Sequence, residues 1–240
     1  DFYWATWSYK NRSAGYYALA GLACKEGDKK EAVRLLKLSL ETNARHLWAK
    51  HMLAELTGDE GLKAVIREED ALFDSFRNQP AQALDLAVEY MRFGLNGRAI
   101  AVLEAAEPSV MTDYYRAYLY AKEGDRKRAS SARRCGEKKS WVYCNPNRLE
   151  DIAVLQWVGT PRAAYYLGCL YYDRGRYADA ADCWRSCTER EDFAPAFRGY
   201  ALACYDHLGR KDEAKEAMER AFALAPGSDR IFYELAQLYK

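Results

Sequence analysis

Glycine returns along this chain at a nearly fixed interval, and that interval constrains the fold more than any other feature. Gly27, Gly61, Gly94, Gly124, Gly175 and Gly209 stand 34, 33, 30, 51 and 34 residues apart. Self-similarity on this scale marks a repeat architecture, in which each unit buries its apolar face only by stacking on its neighbours. A recurrent glycine also says where each unit turns. It takes a positive φ at no steric cost, so it ends one helix and reverses the chain.

The phase is clearest toward the C-terminus, where one unit runs over 161–194, the next over 195–228, and a third begins at Asp229. Leu167, Ala201 and Leu235 stand seventh in their units, and Gly168, Leu202 and Ala236 eighth. Tyr171, Tyr205 and Tyr239 stand eleventh. Ala180 and Ala214 share position 20, Trp184 and Met218 position 24, and Cys187 and Ala221 position 27. Small residues at 8, 20 and 27 let two helix backbones approach, while large ones at 11 and 24 fill the space beside them. Leu202 departs from that rule, so a looser contact is expected there. Half of the 240 residues are hydrophobic and only six are proline, which favours helix throughout.

The run Tyr165-Tyr166-Leu167-Gly168, followed by Gly175-Arg176-Tyr177 and Ala180, resembles the consensus of the tetratricopeptide (TPR) repeat. That resemblance implies an all-α fold, a right-handed TPR superhelix (an α-solenoid) of about six helix-turn-helix repeats. The same register, looser, starts at Ser13 (Leu19, Ala20, Gly27, Ala32, Leu36), Leu47 (Leu53, Ala54, Gly61), Pro80 (Leu86, Ala87, Tyr90, Gly94, Ala99, Leu103) and Val110 (Ala117, Tyr120, Gly124, Ala129). Gly58 competes with Gly61 as the turn of the second of these. The 51-residue step leaves room for one inserted helix, signalled by Asn145-Pro146-Asn147 and by Leu149, Ile152, Ala153 and Leu155 at helical spacing. The expected organisation is an aromatic N-terminal segment or domain seam over 1–12, degenerate repeats over 13–139, an inserted loop and helix over 140–160, and well-matched repeats over 161–240 ending in a single helix.

A second set of landmarks is Phe2-Tyr3-Trp4-Ala5-Thr6, Glu41-Thr42-Asn43-Ala44-Arg45-His46 and Asn145-Pro146-Asn147-Arg148-Leu149-Glu150-Asp151. Together with the repeats they resemble the C-terminal TPR region of large bacterial proteins. The N-terminal region of those proteins is similar to galactose-mutarotase-like and carbohydrate-active β-sandwiches. The resemblance implies a fragment of a longer chain, with Phe2, Tyr3, Trp4 and Trp7 at the seam, and it carries over no catalytic residue.

The residues favour binding over catalysis. His46, His51 and His207 are the only histidines, and no HExxH, GxSxG, GxxxxGK[ST] or GxGxxG pattern occurs. Seven cysteines without a CxxC read as small buried thiols in a reducing cytoplasm rather than metal ligands or a disulfide framework. No metal and no cofactor is expected. A net charge of +1 gives no global pull toward nucleic acid or a membrane. One basic stretch, Arg126, Lys127, Arg128, Arg133 and Arg134, could hold an anion or acidic partner, although such a face is more often simply solvated.

The 19 tyrosines are the better functional clue. In the TPR family helix A lines a concave groove, and the resemblance places Tyr17, Tyr114, Tyr115, Tyr118, Tyr165, Tyr166, Tyr172, Tyr200 and Tyr233 at its lining positions. Tyrosine presents a large rigid surface with a hydrogen-bonding tip. Some of these rings could equally pack between repeats. The carboxylate clamp of TPR co-chaperones is missing, since Tyr17 and Gly21 occupy two of its places. The expected function is a non-catalytic scaffold that takes a protein, a peptide, an upstream domain of the same polypeptide or a carbohydrate. The alternative is an accessory domain of a carbohydrate-active enzyme.

Overall fold

Four of the interhelical turns close with the same hydrogen bond. The residue after the turn glycine donates its N–H to the carbonyl five residues earlier: Asp28 to Ala23 (2.9 Å), Leu95 to Tyr90 (2.9 Å), Asp125 to Tyr120 (2.8 Å) and Arg176 to Tyr171 (2.9 Å). The glycines themselves have φ of +84°, +72°, +83° and +71°, the left-handed geometry of a Schellman cap. Gly209 (φ +68°) closes a turn one residue wider, with Arg210 donating to Cys204 at 2.9 Å. The position-11 tyrosine thus has two jobs at residues 90, 120 and 171: its ring is buried and its carbonyl anchors the turn.

The structure, a computed structural model, describes residues 2–63, 80–142 and 144–239, which are helical with no strand among them. In chain order the helices are α1 (Phe2–Ala5), α2 (Arg12–Lys25), α3 (Lys29–Thr42), α4 (Leu47–Thr57), α5 (Pro80–Arg92), α6 (Asn96–Ala105), α7 (Val110–Lys122), α8 (Arg126–Lys138), α9 (Leu149–Val158), α10 (Pro161–Asp173), α11 (Tyr177–Thr188), α12 (Ala194–Asp206), α13 (Lys211–Leu224) and α14 (Asp229–Leu238). They fall into two compact units, Asp1–Arg126 and Lys127–Lys240.

Within the first unit the hairpins α2–α3 and α5–α6 pack internally, α4 packs on α3, and α7 packs on α6. The repeat positions behave as their sizes require. Ala20, Ala32, Leu36, Leu86, Ala87, Ala99 and Ala117 are fully buried. Ser13 and Ser39 lock α2 to α3 by reciprocal bonds, each hydroxyl donating to the other's carbonyl at 2.9 Å. Gly15 lets α1 approach: a Cβ there would meet the Thr6 nitrogen at 3.0 Å and the Phe2 carbonyl at 3.1 Å. The N-terminal segment therefore rests on α2 through its backbone, while Phe2, Tyr3, Trp4 and Trp7 stay 55–63% exposed.

The even interval misplaces one turn. Gly58, with φ +72°, ends α4, and Gly61 has no such conformation. The reason is local: α4 is a short helix of 11 residues, and Asp59, next in line, accepts the Leu62 N–H at 3.0 Å and starts a new helical turn that contains Gly61.

In the second unit α9 packs on α10, and the pairs α10–α11, α11–α12, α12–α13 and α13–α14 follow in succession. Ala180, Cys187, Ala214, Met218 and Ala221 are fully buried, and Leu202 is half-buried. The inserted helix forms at 149–158 as its spacing predicts, but of the four residues named by that spacing only Leu155 is buried and Ile152 half-buried. Val154, Leu155 and Val158 point inward, whereas Leu149 is 77% exposed and Ala153 is exposed. Apolar residues surround this helix, so periodicity alone could not choose its face. Another left-handed glycine, Gly159 (φ +62°), ends it.

The start of α9 depends on Asp151. Its buried carboxylate accepts the N–H groups of Asn147 (2.8 Å) and Arg148 (2.9 Å). Asp151→Ala strands both donors and is expected to cost about 1–3 kcal/mol in urea unfolding. Asp151→Asn, which keeps one acceptor oxygen, should recover part of that loss.

Candidate functional site

In the second unit side chains of α10, α12 and α14 join with Trp141, with Tyr177 and Trp184 of α11, and with Phe193 and His207 at the two ends of α12 in one set of aromatic and charged groups. Thr160 starts α10 by accepting the Ala163 N–H at 3.2 Å, with Pro161 in the first turn. Seven residues separate Tyr165 from Tyr172, so the two lie on the same face, about two turns or ~10 Å apart. Both are half-buried.

Tyr165 is held edge-on by two rings. Its centroid lies 5.0 Å from Phe193 and 6.4 Å from Trp141, each at 88°, and Trp141 and Phe193 meet at 5.7 Å. The Arg162 guanidinium covers Phe193 at 4.0 Å and pairs with Glu191 at 2.7 Å. At the other end, the Tyr172 ring sits 5.5 Å from Trp184 and 5.1 Å from Tyr177. Its hydroxyl meets His207 Nε2 at 3.1 Å, and Tyr177 stacks flat on His207 at 3.4 Å. Arg198 of α12 forks onto Glu234 of α14 at 2.6 and 2.5 Å. The two arginines at Glu234, Arg198 and Arg230, hold its carboxyl below the usual range despite partial burial. The rings are therefore fixed in place before any ligand arrives.

The other tyrosines fall elsewhere. Tyr166 is buried, its hydroxyl bonded to the Cys144 thiol. Tyr200 is also buried and donates to Glu213 of α13, so it faces the second helix of its hairpin. Tyr233 is 64% exposed on α14. In the first unit Tyr114 and Tyr115 are core residues with no exposed surface. Tyr17 is half-buried, donates to Glu89 at 2.6 Å and lies between His46 (4.8 Å) and Phe93 (5.2 Å). Burial first, then Glu89, raises its hydroxyl's pKa. Tyr118 is half-buried with the Lys122 ammonium 4.7 Å over its ring.

Arg126, Lys127, Arg128, Arg133 and Arg134 are all exposed on α8. Ala129, Ala132 and Gly136 form its buried stripe, and the five cations spread over the remaining circumference rather than converging on one point.

No group of three or more His, Cys, Asp or Glu suited to a metal occurs among the described residues. None of the described helices is long and apolar enough to cross a membrane. All seven cysteines are unpaired. Burial pushes the thiols of Cys144 and Cys187 up to about 12 and those of Cys169 and Cys183 up to about 11. They remain protonated at neutral pH and are poor nucleophiles.

Sequence reasoning missed Trp141, Phe193, Arg162 and Arg198. Phe193 and Trp141 lie outside helix A of their units, where family positions give no signal. Arg198 carries a visible one, since a cation inside helix A of a strongly matched repeat has no core role.

Residues 162–191, the α10–α11 hairpin, match the family model described as "Tetratricopeptide repeat". Among solved structures, the chain is similar to YrrB, described as a TPR protein with an unusual peptide-binding site, at 14% identity over 98% of this chain and 97% of that one, with a TM-score of 0.33. It is similar to a TPR protein from Parabacteroides merdae at 13% identity over 95% and 99%, with a TM-score of 0.33. It is also similar to PilF of Pseudomonas aeruginosa at 14% identity over 94% and 97%, with a TM-score of 0.34.

Proposed function

We propose that this chain is a non-catalytic helical-repeat scaffold that binds an extended peptide segment of a partner protein along the α10–α12–α14 face. The observation that carries this reading is the pair Tyr165 and Tyr172. They are half-exposed, share one helix face, and are braced by Trp141, Phe193, Trp184 and His207. Rigid aromatic rings fixed before binding lose little entropy on contact. Their ~10 Å separation matches one turn of an extended polyproline-II chain, three residues at ~3.1 Å each, so side chains three apart would meet successive rings. Tyr233 would extend the surface along α14. Tyr17 and Tyr118 would form separate contacts on the first unit, and α8 would favour an acidic partner. Tyr166, buried in the same helix, would support this surface from within, whereas Tyr115 is core of the first unit and Tyr200 faces α13.

The test is selection of binders from a random peptide library, followed by titration of Tyr165→Ala/Tyr172→Ala. Removal of two central aromatics is expected to weaken binding at least about tenfold. An unchanged affinity in a variant with native helicity contradicts the assignment.

The exposed rings of Phe2, Tyr3, Trp4 and Trp7 favour a second reading, an accessory region serving a carbohydrate-active neighbour, because such rings can stack on sugar faces. Quenching or shift of tryptophan fluorescence by soluble oligosaccharides, abolished in Trp4→Ala/Trp7→Ala, would support it.

A further inference from the structure

On another side of the second unit, α12 and α13 border an open cavity of about 660 Å³ that reaches the end of α11 at Thr188. Its floor is apolar, made by Phe197, Tyr200 and Ala217. Its rim is acidic. Glu213, Glu216 and Glu219 all come from α13, and all three are exposed. Phenols hold two of them, Tyr200 donating to Glu213 and Tyr239 to Glu219. Hydrogen bonds from neutral hydroxyls leave the charge in place. The one cation at the rim, Arg220, is already paired with Asp192 at 2.8 Å. Among the described residues none of the three glutamates forms an ion pair, and Glu216 has no hydrogen-bond partner either.

We infer that this cavity receives arginine or lysine side chains of a basic peptide segment. The volume lies within the roughly 300–1,000 Å³ of ordinary ligand sites. A long cationic side chain can lay its methylenes on Ala217 and Phe197 and carry its charge to the carboxylates. Phe197 and Tyr200 line the cavity, and aromatic rings there favour a guanidinium or ammonium. The attraction is local, since a net charge of +1 gives the protein as a whole no pull on cations. An acidic or neutral peptide would leave three carboxylates facing it without compensation, and this mismatch supplies the selectivity.

The cavity is independent of the Tyr165–Tyr172 face, and one experiment separates them. Titrate the full chain with acetyl-Arg-Arg-Arg-amide at low salt, with acetyl-Glu-Glu-Glu-amide as the control. Saturable binding of the first and none of the second is expected. Glu216→Gln/Glu219→Gln should weaken it at least about fivefold, and Phe197→Ala should weaken it as well. Tyr165→Ala/Tyr172→Ala should leave it unchanged. Glu216 and Glu219 are exposed, and Phe197, Tyr165 and Tyr172 half-buried, so circular dichroism of each variant verifies that the helices stay intact. Absence of saturable tri-arginine binding, equal binding of both peptides, or an affinity within twofold of wild type in the double glutamine variant overturns the inference.

Discussion

Trp184→Ala should destabilise the second unit by about 3–5 kcal/mol, the largest effect expected of any single substitution in the chain. The indole is buried between two glycines on different helices. A Cβ on Gly168 of α10 would lie 2.6 Å from its Nε1, and one on Gly199 of α12 would lie 2.8 Å from its ring. The indole N–H donates to the Tyr165 carbonyl at 3.1 Å, so this side chain also braces the backbone beneath the candidate binding face. Truncation leaves a cavity bounded by helix backbones, which cannot collapse readily to fill it. The converse substitutions, Gly168→Ala and Gly199→Ala, push a methyl into the ring and should cost about 1–3 kcal/mol each. The diagnostic is coupling. In the Trp184→Ala background Gly199→Ala should cost little or nothing, a non-additivity that denaturant unfolding of the four proteins would measure. Strict additivity would show that the indole does not fill that space.

Acidification from pH 7 to 4.5 should weaken the first unit by about 2–3 kcal/mol through His51. This imidazole is buried in α4, with Nδ1 3.5 Å from the Tyr90 hydroxyl, and burial lowers its pKa to about 4. In the unfolded chain it titrates near its ordinary value of about 6.5. Between those values the unfolded state binds the proton and the folded state does not. The His51 contribution is therefore complete above about pH 6.5 and is lost as pH falls toward 4. His46, also lowered by burial, acts with the same sign. Carboxylates held low by arginines, such as Glu234, lose their contribution only below about 4.5. His51→Phe should flatten the stability profile between pH 6.5 and 4.5, and His51→Gln should do the same if the phenyl ring fails to fit. A slope equal to wild type in both variants would remove His51 as its source.

The hairpin architecture was legible because each diagnostic position is a backbone or volume requirement. Gly27, Gly94, Gly124, Gly175 and Gly209 adopt the positive φ that their spacing implied, and Ala180, Ala214, Cys187 and Ala221 are buried where small residues were needed. Gly61 misled because the interval is an average, while capping by Asp59 is decided by four residues. Gly199 was invisible for a different reason. Its smallness is required by Trp184, 15 positions earlier and on another helix, and no single-helix pattern records that pairing. The tyrosines were legible only as a class. Sequence spacing places Tyr165 and Tyr166 side by side in helix A, yet a turn of 100° per residue puts one on the braced face and the other in the core. Whether a ring contacts solvent or a neighbouring helix depends on partners such as Phe193, Cys144 and Glu213, which come from distant parts of the chain.

The most direct test of the binding assignment is a crystal structure of the chain with a peptide selected for affinity. The account predicts peptide side chains packed against Tyr165 and Tyr172, with the rings of Trp141, Phe193 and His207 in the positions they hold without ligand. A peptide bound only elsewhere, or one that reaches the face by displacing those bracing rings, would contradict it.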